Sequence, residues 1–185
     1  MISPIKCLAA LALLLSVGCG GGPRARNNGV KPPISGPGGK LATTVNFSLD
    51  DIKGGRVSLS DFRGQVVLVT FFTTWCDPCI AEIPALNDMV DGPTAIEGFK
   101  VVAISLDLNP RQLVEQFVEF MGIQYPVLLA DEGMLRGDTP FGTVRTIPAA
   151  FLVDADGRHV DTFVGMTPLG YIRRRAQELI PARAR

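Results

Sequence analysis

Val66-Val67-Leu68-Val69-Thr70-Phe71-Phe72-Thr73-Thr74-Trp75-Cys76-Asp77-Pro78-Cys79 begins as a nearly unbroken apolar, β-branched run and ends in Trp-Cys-x-Pro-Cys. Beyond it apolar residues recur at helical spacing, at Ile80, Ile83, Leu86, Met89 and Val90. The run predicts a central strand covered on both faces, and the change of period predicts that this strand hands two cysteines to the start of a helix. Free N–H groups and the positive dipole end of a helix favour a thiolate, and the thiolate is the nucleophile of disulfide exchange. Redox chemistry is therefore the first expectation. Pro84 lies early in the helix and is expected to kink it.

Upstream, Val45–Leu49 and Arg56–Leu59 alternate in polarity around Lys53-Gly54-Gly55, which predicts a β-hairpin, and Ser60–Gly64 reads as a short turn. Downstream the pattern predicts a strand over 99–106, a helix over 110–121 and a strand over 125–130. Residues 131–145 show no assignable element. Thr146-Ile147-Pro148 then opens a strand at Ala149–Val153, the turn Asp154–Gly157 leads to a strand over 158–164, and Leu169, Ile172, Ala176 and Leu179 mark a last helix. Alternating strands and helices predict an α/β fold with much parallel pairing, because parallel neighbours need crossover connections.

The chain of 185 residues is 46% hydrophobic, enough for one domain with its own core, and residues 41–185 are assigned to it. Lysine plus arginine balances aspartate plus glutamate at 18 each, so no net field points to nucleic acid, and no nucleic-acid partner is expected. Residues 1–18 carry Lys6 and then the apolar run Leu8–Leu15, which reads as a secretory signal too short for a comfortable membrane span. Residues 19–40 are rich in glycine, proline, asparagine and basic residues and read as a flexible linker with a reach of about 25 Å.

Cys7 and Cys19 lie in this N-terminal region, which leaves Cys76 and Cys79 alone in the domain. Cys-x-x-Cys admits half a zinc site, a small structural disulfide or a redox pair. Zinc needs about four ligands, yet there is no second cysteine pair and His159 is the only histidine. A structural disulfide closing so short a loop removes little chain entropy. The strand-to-helix position favours a redox dithiol, with no metal and no cofactor. Trp75 reads as a core aromatic or a surface aromatic beside the dithiol, the second favoured by its place next to Cys76. Glu82 reads as a solvated helix residue or as an acid near the dithiol, and Pro148 as an ordinary trans proline or a special one. His159 and Arg173-Arg174-Arg175 read as surface residues.

Trp75-Cys76-x-Pro78-Cys79, Pro84, and Ile147-Pro148 ahead of a strand and an Asp-Gly hairpin resemble the thioredoxin superfamily. Cys79-x-x-Glu82-x-Pro84, the N-terminal hairpin and the extra helix and strand before Ile147 resemble its TlpA/ResA-like membrane-tethered thiol-disulfide oxidoreductases, related to the AhpC/TSA redoxins, from about Thr44 to Ile180. The resemblance implies a thioredoxin-like fold: a central mixed β-sheet flanked by helices, with an N-terminal β-hairpin and a central helix-strand insertion. It implies a redox-active Cys76–Cys79 disulfide in which Cys76, at the helix N-terminus and more exposed, attacks a partner disulfide and Cys79 resolves the mixed disulfide. It further implies a cis Ile147-Pro148 bond facing the dithiol, with Trp75, Ile147 and Pro148 contacting the substrate, and a partly buried Glu82 that manages the protons. Thr70 stands where thioredoxin carries a buried aspartate, which leaves Glu82 as the acid for that role. Ala149-Ala150 replaces the threonine pair common in the family and bears on partner preference. Asp77 beside Cys76 disfavours the thiolate, which points to a reductant.

Leu15-Ser16-Val17-Gly18-Cys19 resembles a bacterial lipobox, with its leucine one place farther from the cysteine than usual; the alternative is an ordinary secretory signal. The expectation is a monomeric lipoprotein, lipidated at Cys19 and held by that lipid anchor on the periplasmic, extracytoplasmic face of a membrane. It would reduce disulfides in exported proteins, as in apo-cytochrome c maturation, and take electrons from a membrane thiol donor. Two other functions fit the fold: a peroxiredoxin-like peroxide reductase, suggested by Asp61-Phe62-Arg63-Gly64, and a copper carrier, for which a cysteine-histidine ligand set is missing.

Overall fold

The computed structural model describes residues 43–108 and 111–181, so the assigned signal segment, Cys19 and the linker lie outside the described residues. Strands β1 (Ser48–Asp50) and β2 (Arg56–Ser58) pair antiparallel with Leu49 opposite Val57. Gly54 and Gly55 close this hairpin at φ of +100° and +82°, a region that a Cβ disfavours. A 3₁₀ helix follows at Leu59–Phe62.

β3 (Val66–Phe72) has the predicted bounds, and all seven of its side chains are buried. At roughly 1.5–3 kcal/mol for each fully buried large apolar side chain, this strand alone contributes on the order of 10 kcal/mol of transfer free energy. That magnitude explains why it sits at the centre. After it come α1 (Asp77–Asp91), β4 (Phe99–Ser105), α2 (Arg111–Met121), β5 (Val127–Leu129), α3 (Glu132–Leu135), β6 (Asp138–Thr139), β7 (Gly142–Thr143), β8 (Ala149–Val153), β9 (His159–Val164) and α4 (Leu169–Leu179). The main sheet has the order β5-β4-β3-β8-β9. β4 runs parallel to β3 and to β5, whereas β8 is antiparallel to both β3 and β9, so the sheet is mixed.

Alternation along β3 splits the core in two. Val66, Leu68 and Phe72 join Ile83, Leu86 and Met89 of α1, Val114 and Val118 of α2, and Ile172 and Ala176 of α4. Val67, Val69 and Phe71 join Val45, Phe47, Leu49, Leu59 and Met134, so the N-terminal hairpin and α3 cover the other face. Pro84 lies within α1, which continues through it to Asp91.

Three sequence expectations change. The stretch 131–145 is structured: Asp131 caps α3 by accepting from Met134 N–H at 2.8 Å, and the β6–β7 hairpin places Phe141 in a stacked contact with Phe151 at 4.5 Å. His159 is half-buried, with its ring edge-on to Phe141 and Phe151. Arg173 and Arg175 do not simply face water. Arg173 binds Thr94 O at 2.6 Å and Arg175 pairs with the buried Asp161 at 3.1 Å, which leaves Arg174 as the exposed member of the three. Among the described residues no helix is long and apolar enough to cross a membrane.

Candidate active site

The β3–β4 ladder ends where Leu106 N–H donates to Phe72 O at 2.8 Å, and the chain then turns sharply. Cys76 N–H donates to Thr73 O at 3.1 Å, closing a four-residue turn that presents Trp75 to solvent at 73% exposure. Cys76 is the N-cap of α1 in extended conformation, and Pro78 occupies the first helical turn, where its missing N–H costs nothing. Cys79 N–H donates to Cys76 Sγ at 3.3 Å, so the sulfur of the first cysteine takes the place of a capping oxygen. The two sulfurs form a disulfide with the Cα atoms 5.3 Å apart.

Cys76 and Cys79 are 5% and 6% exposed, so the expectation that Cys76 is the more exposed of the two does not hold in this oxidised form. Both cysteines belong to the core on the α1 face of the sheet. What distinguishes them is the N-cap position of Cys76, whose sulfur receives a helix N–H that would stabilise a thiolate.

The peptide bond Ile147-Pro148 is cis. Phe71 pairs with Ala149, so Pro148 lies beyond that pair at the same end of β3 from which the cysteines emerge, and Ile147 packs against both halves of the core. Pro148 O accepts from Gly165 N–H at 2.8 Å, tying the loop after β9 to this corner.

Glu82 is 4% exposed, buried more deeply than a partly buried acid. Its carboxylate accepts from the Thr167 backbone N–H and, at 2.8 Å, from Thr167 Oγ1–H. Burial pushes its carboxyl above the ordinary carboxylate range, and the backbone and side-chain bonds from Thr167 offset part of that rise. Glu82 shares a cavity of about 10 Å³ with Thr70, Cys79 and Tyr125, close to what one water needs. Burial first, and the charge of Glu82 second, push the Tyr125 hydroxyl upward.

Two groups that the sequence reading did not single out complete the site. Thr167 holds Glu82 from 85 positions away, and Asp107 grips Thr74 from 33 positions away. A serine and an aspartate at the carboxyl end of a central parallel strand, where α/β sheets place their sites, are the signal that could have found Asp107. Thr167 had none. Cys19 lies outside the described residues, and among these no cluster of three or more potential ligands could hold a metal.

Residues 41–160 match the model of the AhpC/TSA family. The chain is 29% identical over 140 residues to the thiol-disulfide oxidoreductase ResA of Geobacillus kaustophilus, a match covering 76% of this chain and 78% of that protein. It is 30% identical over 139 residues to a ResA of Bacillus cereus, covering 74% and 76% respectively. A thioredoxin-family thiol:disulfide interchange protein from Chlorobium tepidum superposes with a TM-score of 0.64 at 26% identity, over 78% of this chain and 99% of that one.

Proposed function

Since the chain belongs to the AhpC/TSA family and is a ResA-like thiol-disulfide oxidoreductase of the thioredoxin superfamily, we propose that it works outside the cytoplasm as a membrane-tethered reductase of disulfides in exported proteins, apo-cytochromes c among them. The observation that carries the reading is the Cys76–Cys79 disulfide at the N-terminus of α1, with the cis Ile147-Pro148 bond at the same end of β3 and Glu82 buried behind it.

In the reduced enzyme the Cys76 thiolate attacks one sulfur of a partner disulfide. A mixed disulfide forms and the partner's other sulfur leaves as a thiolate. The Cys79 thiolate then attacks Cys76 Sγ, forming the internal disulfide and releasing the second partner sulfur. Two electrons pass to the partner, which ends with two thiols once its sulfurs are protonated. A membrane dithiol donor returns the electrons by the same exchange in reverse. Glu82 holds the proton that Cys79 gives up when it becomes a nucleophile; its burial beside Cys79 and its raised pKa support that role. The exposed Trp75 and the half-buried Ile147 offer the surface on which the partner segment rests, and Pro148, itself buried, contributes through the cis bond that sets Ile147 at this corner.

The apolar run Leu8–Leu15 followed by Cys19 supports export and lipidation, with residues 19–40 as the tether. Asp77 in the first turn supports a reducing rather than an oxidising poise.

Trapping tests the reading. Cys79→Ala leaves the mixed disulfide without a resolving thiol, so exported proteins with cysteine pairs should accumulate covalently on Cys76. Recovery of no such adducts, or of adducts with cytoplasmic proteins alone, would sink the proposal. Cys19→Ser should move the protein from the membrane to the soluble fraction, and a wild-type protein already soluble with an unmodified N-terminus would remove the anchor.

A further inference from the structure

The Asp107 carboxylate holds the turn that delivers Cys76. Its two oxygens share the Thr74 N–H at 3.2 and 3.0 Å, Oδ1 accepts from Thr74 Oγ1–H at 2.8 Å, and Oδ2 accepts from Ser105 Oγ–H at 2.8 Å. Ser105 Oγ in turn accepts from Asp107 N–H at 3.2 Å, and Ser105 is buried at the end of β4. Asp107 thus stands on a fixed base and reaches across to β3 at the point where the backbone ladder has just ended.

That point matters for the chemistry. Thr74 is the second residue of the Thr73–Cys76 turn, and its N–H takes no part in the turn's own closing bond, so the carboxylate takes up the amide that the departing strand leaves free. Hydrogen bonds to an ionised acceptor are about twice as strong as neutral ones, and two of them on one residue fix its place and direction. Cys76 follows two residues later, and its sulfur is useful only if it lies over the first N–H groups of α1, as the 3.3 Å contact from Cys79 N–H requires.

We propose that Asp107 is a positioning residue of disulfide exchange: by binding Thr74 N–H and Oγ1–H from its seat on Ser105, it holds the Thr73–Cys76 turn so that Cys76 Sγ stays over the N-terminus of α1. Ser105 and Thr74 are the other members of this clamp, whose hydrogen bonds run among themselves and to the backbone rather than to the reacting sulfurs. The inference rests on Cys76 being the attacking thiol.

Releasing the clamp weakens the coupling of the sulfur to the helix N-terminus, which in an exposed helix is worth up to roughly one pH unit of thiolate stabilisation. Asp107→Asn presents an amide N–H₂ or a single oxygen to two donors and cannot reproduce the grip. In the reduced protein, Asp107→Asn and Thr74→Val should each raise the midpoint of Cys76 alkylation by iodoacetamide by about half a pH unit. Alkylation at pH 7 should slow by about threefold. Thr74→Ser keeps the hydroxyl and should restore the wild-type profile. A clamp that served only folding would lower the unfolding midpoint and leave the alkylation profile alone.

The carboxylate could instead act through its charge alone. Asp107→Asn would then lower the midpoint while Thr74→Val left it unchanged, and that outcome, or profiles for both variants that overlay the wild type, overturns the proposal. If Asp107→Asn does not fold, Thr74→Val against Thr74→Ser decides alone: a raised midpoint in the valine variant supports the clamp and equal midpoints refute it. Labelling of Cys79 ahead of Cys76 in the wild type would be a failure of the premise, visible before any variant is made.

Discussion

Glu82→Gln changes the charge beside the dithiol while nearly preserving shape. Gln Oε1 can still accept from Thr167 N–H, and Nε2 can donate to Thr167 Oγ1 once the hydroxyl turns, so the packing of this 4%-exposed side chain survives. The loss in bonding is the difference between charged and neutral acceptors, about 1 kcal/mol. The electrostatic effect is larger. Cys79 lies three residues earlier on the same helix, roughly 6 Å away, and two unit charges at that distance repel by about 3 kcal/mol at an effective dielectric near 20. This converts to a fall in the Cys79 thiol pKa of about two units as a ceiling, reached only where the Glu82 carboxyl is fully ionised, and Cys76, farther along the chain from Glu82, should fall by less. Alkylation of the reduced protein as a function of pH, read for each cysteine by mass spectrometry, should therefore shift to lower pH. Reduction of a model disulfide should slow, since the proton acceptor is gone. Profiles that overlay the wild type together with unchanged exchange rates would show that Glu82 neither senses nor serves the thiols.

Other consequences can be checked by stability. Because the folded pKa of Glu82 lies above its unfolded value of 4.5, the folded state holds this proton more tightly. The associated stability is complete below about pH 4.5 and is lost as pH rises through the folded value, so the difference between wild type and Glu82→Gln in urea should change in that window and be flat above it. His159 has the opposite sign: burial lowers its folded pKa below 6.5, so its contribution is present above 6.5 and is lost as pH falls through the folded value, and His159→Gln should flatten the wild-type decline there. Phe141→Ala should lower the unfolding free energy by about 2 kcal/mol, less than a fully buried phenylalanine costs, and leave the alkylation profile unchanged because the ring packs on the sheet face opposite α1. An altered profile in that variant would mean that the two faces are coupled.

The fold was legible wherever a period ran long enough. Seven residues at 66–72, six of them apolar and most β-branched or aromatic, read as a buried strand, and the helical spacing after Cys79 read as the helix that follows it. The β1–β2 ladder is shorter than its alternation because Val45 turns its backbone to another partner, its N–H donating to Gly157 O at 3.0 Å, while Phe47 O still accepts from Leu59 N–H at 3.1 Å. The stretch 131–145 was illegible for a physical reason: elements of four and two residues carry no period, and what orders them is Phe141 against Phe47, Phe71 and Phe151, contacts the local sequence cannot encode. Arg173 and Arg175 misled for the same reason, since their partners Thr94 and Asp161 lie on other elements.

The site divides along the same line, and the division separates the roles of its two carboxylates. The cysteine pair stands at the start of one helix and could be read from spacing, and the family resemblance singled out Glu82 on that helix, whereas Asp107 and Thr167 reach the site only through the fold. Asp107 is half-exposed, and its oxygens are committed to Thr74 and Ser105, a bonding state that suits a fixed support. Glu82 is buried, its hydrogen bonds among the described residues go to Thr167, and it lines with Cys79 a cavity with room for about one water, a setting that suits a group whose proton comes and goes. The two neutralising substitutions should therefore move the thiol titration in opposite directions. Glu82→Gln removes a charge that opposes the thiolate and lowers the midpoint, whereas Asp107→Asn removes a support on which the thiolate's helix contact depends and raises it. In the double variant the two shifts should partly cancel at Cys76 while disulfide reduction falls below either single variant, because proton transfer and placement of the sulfur fail separately.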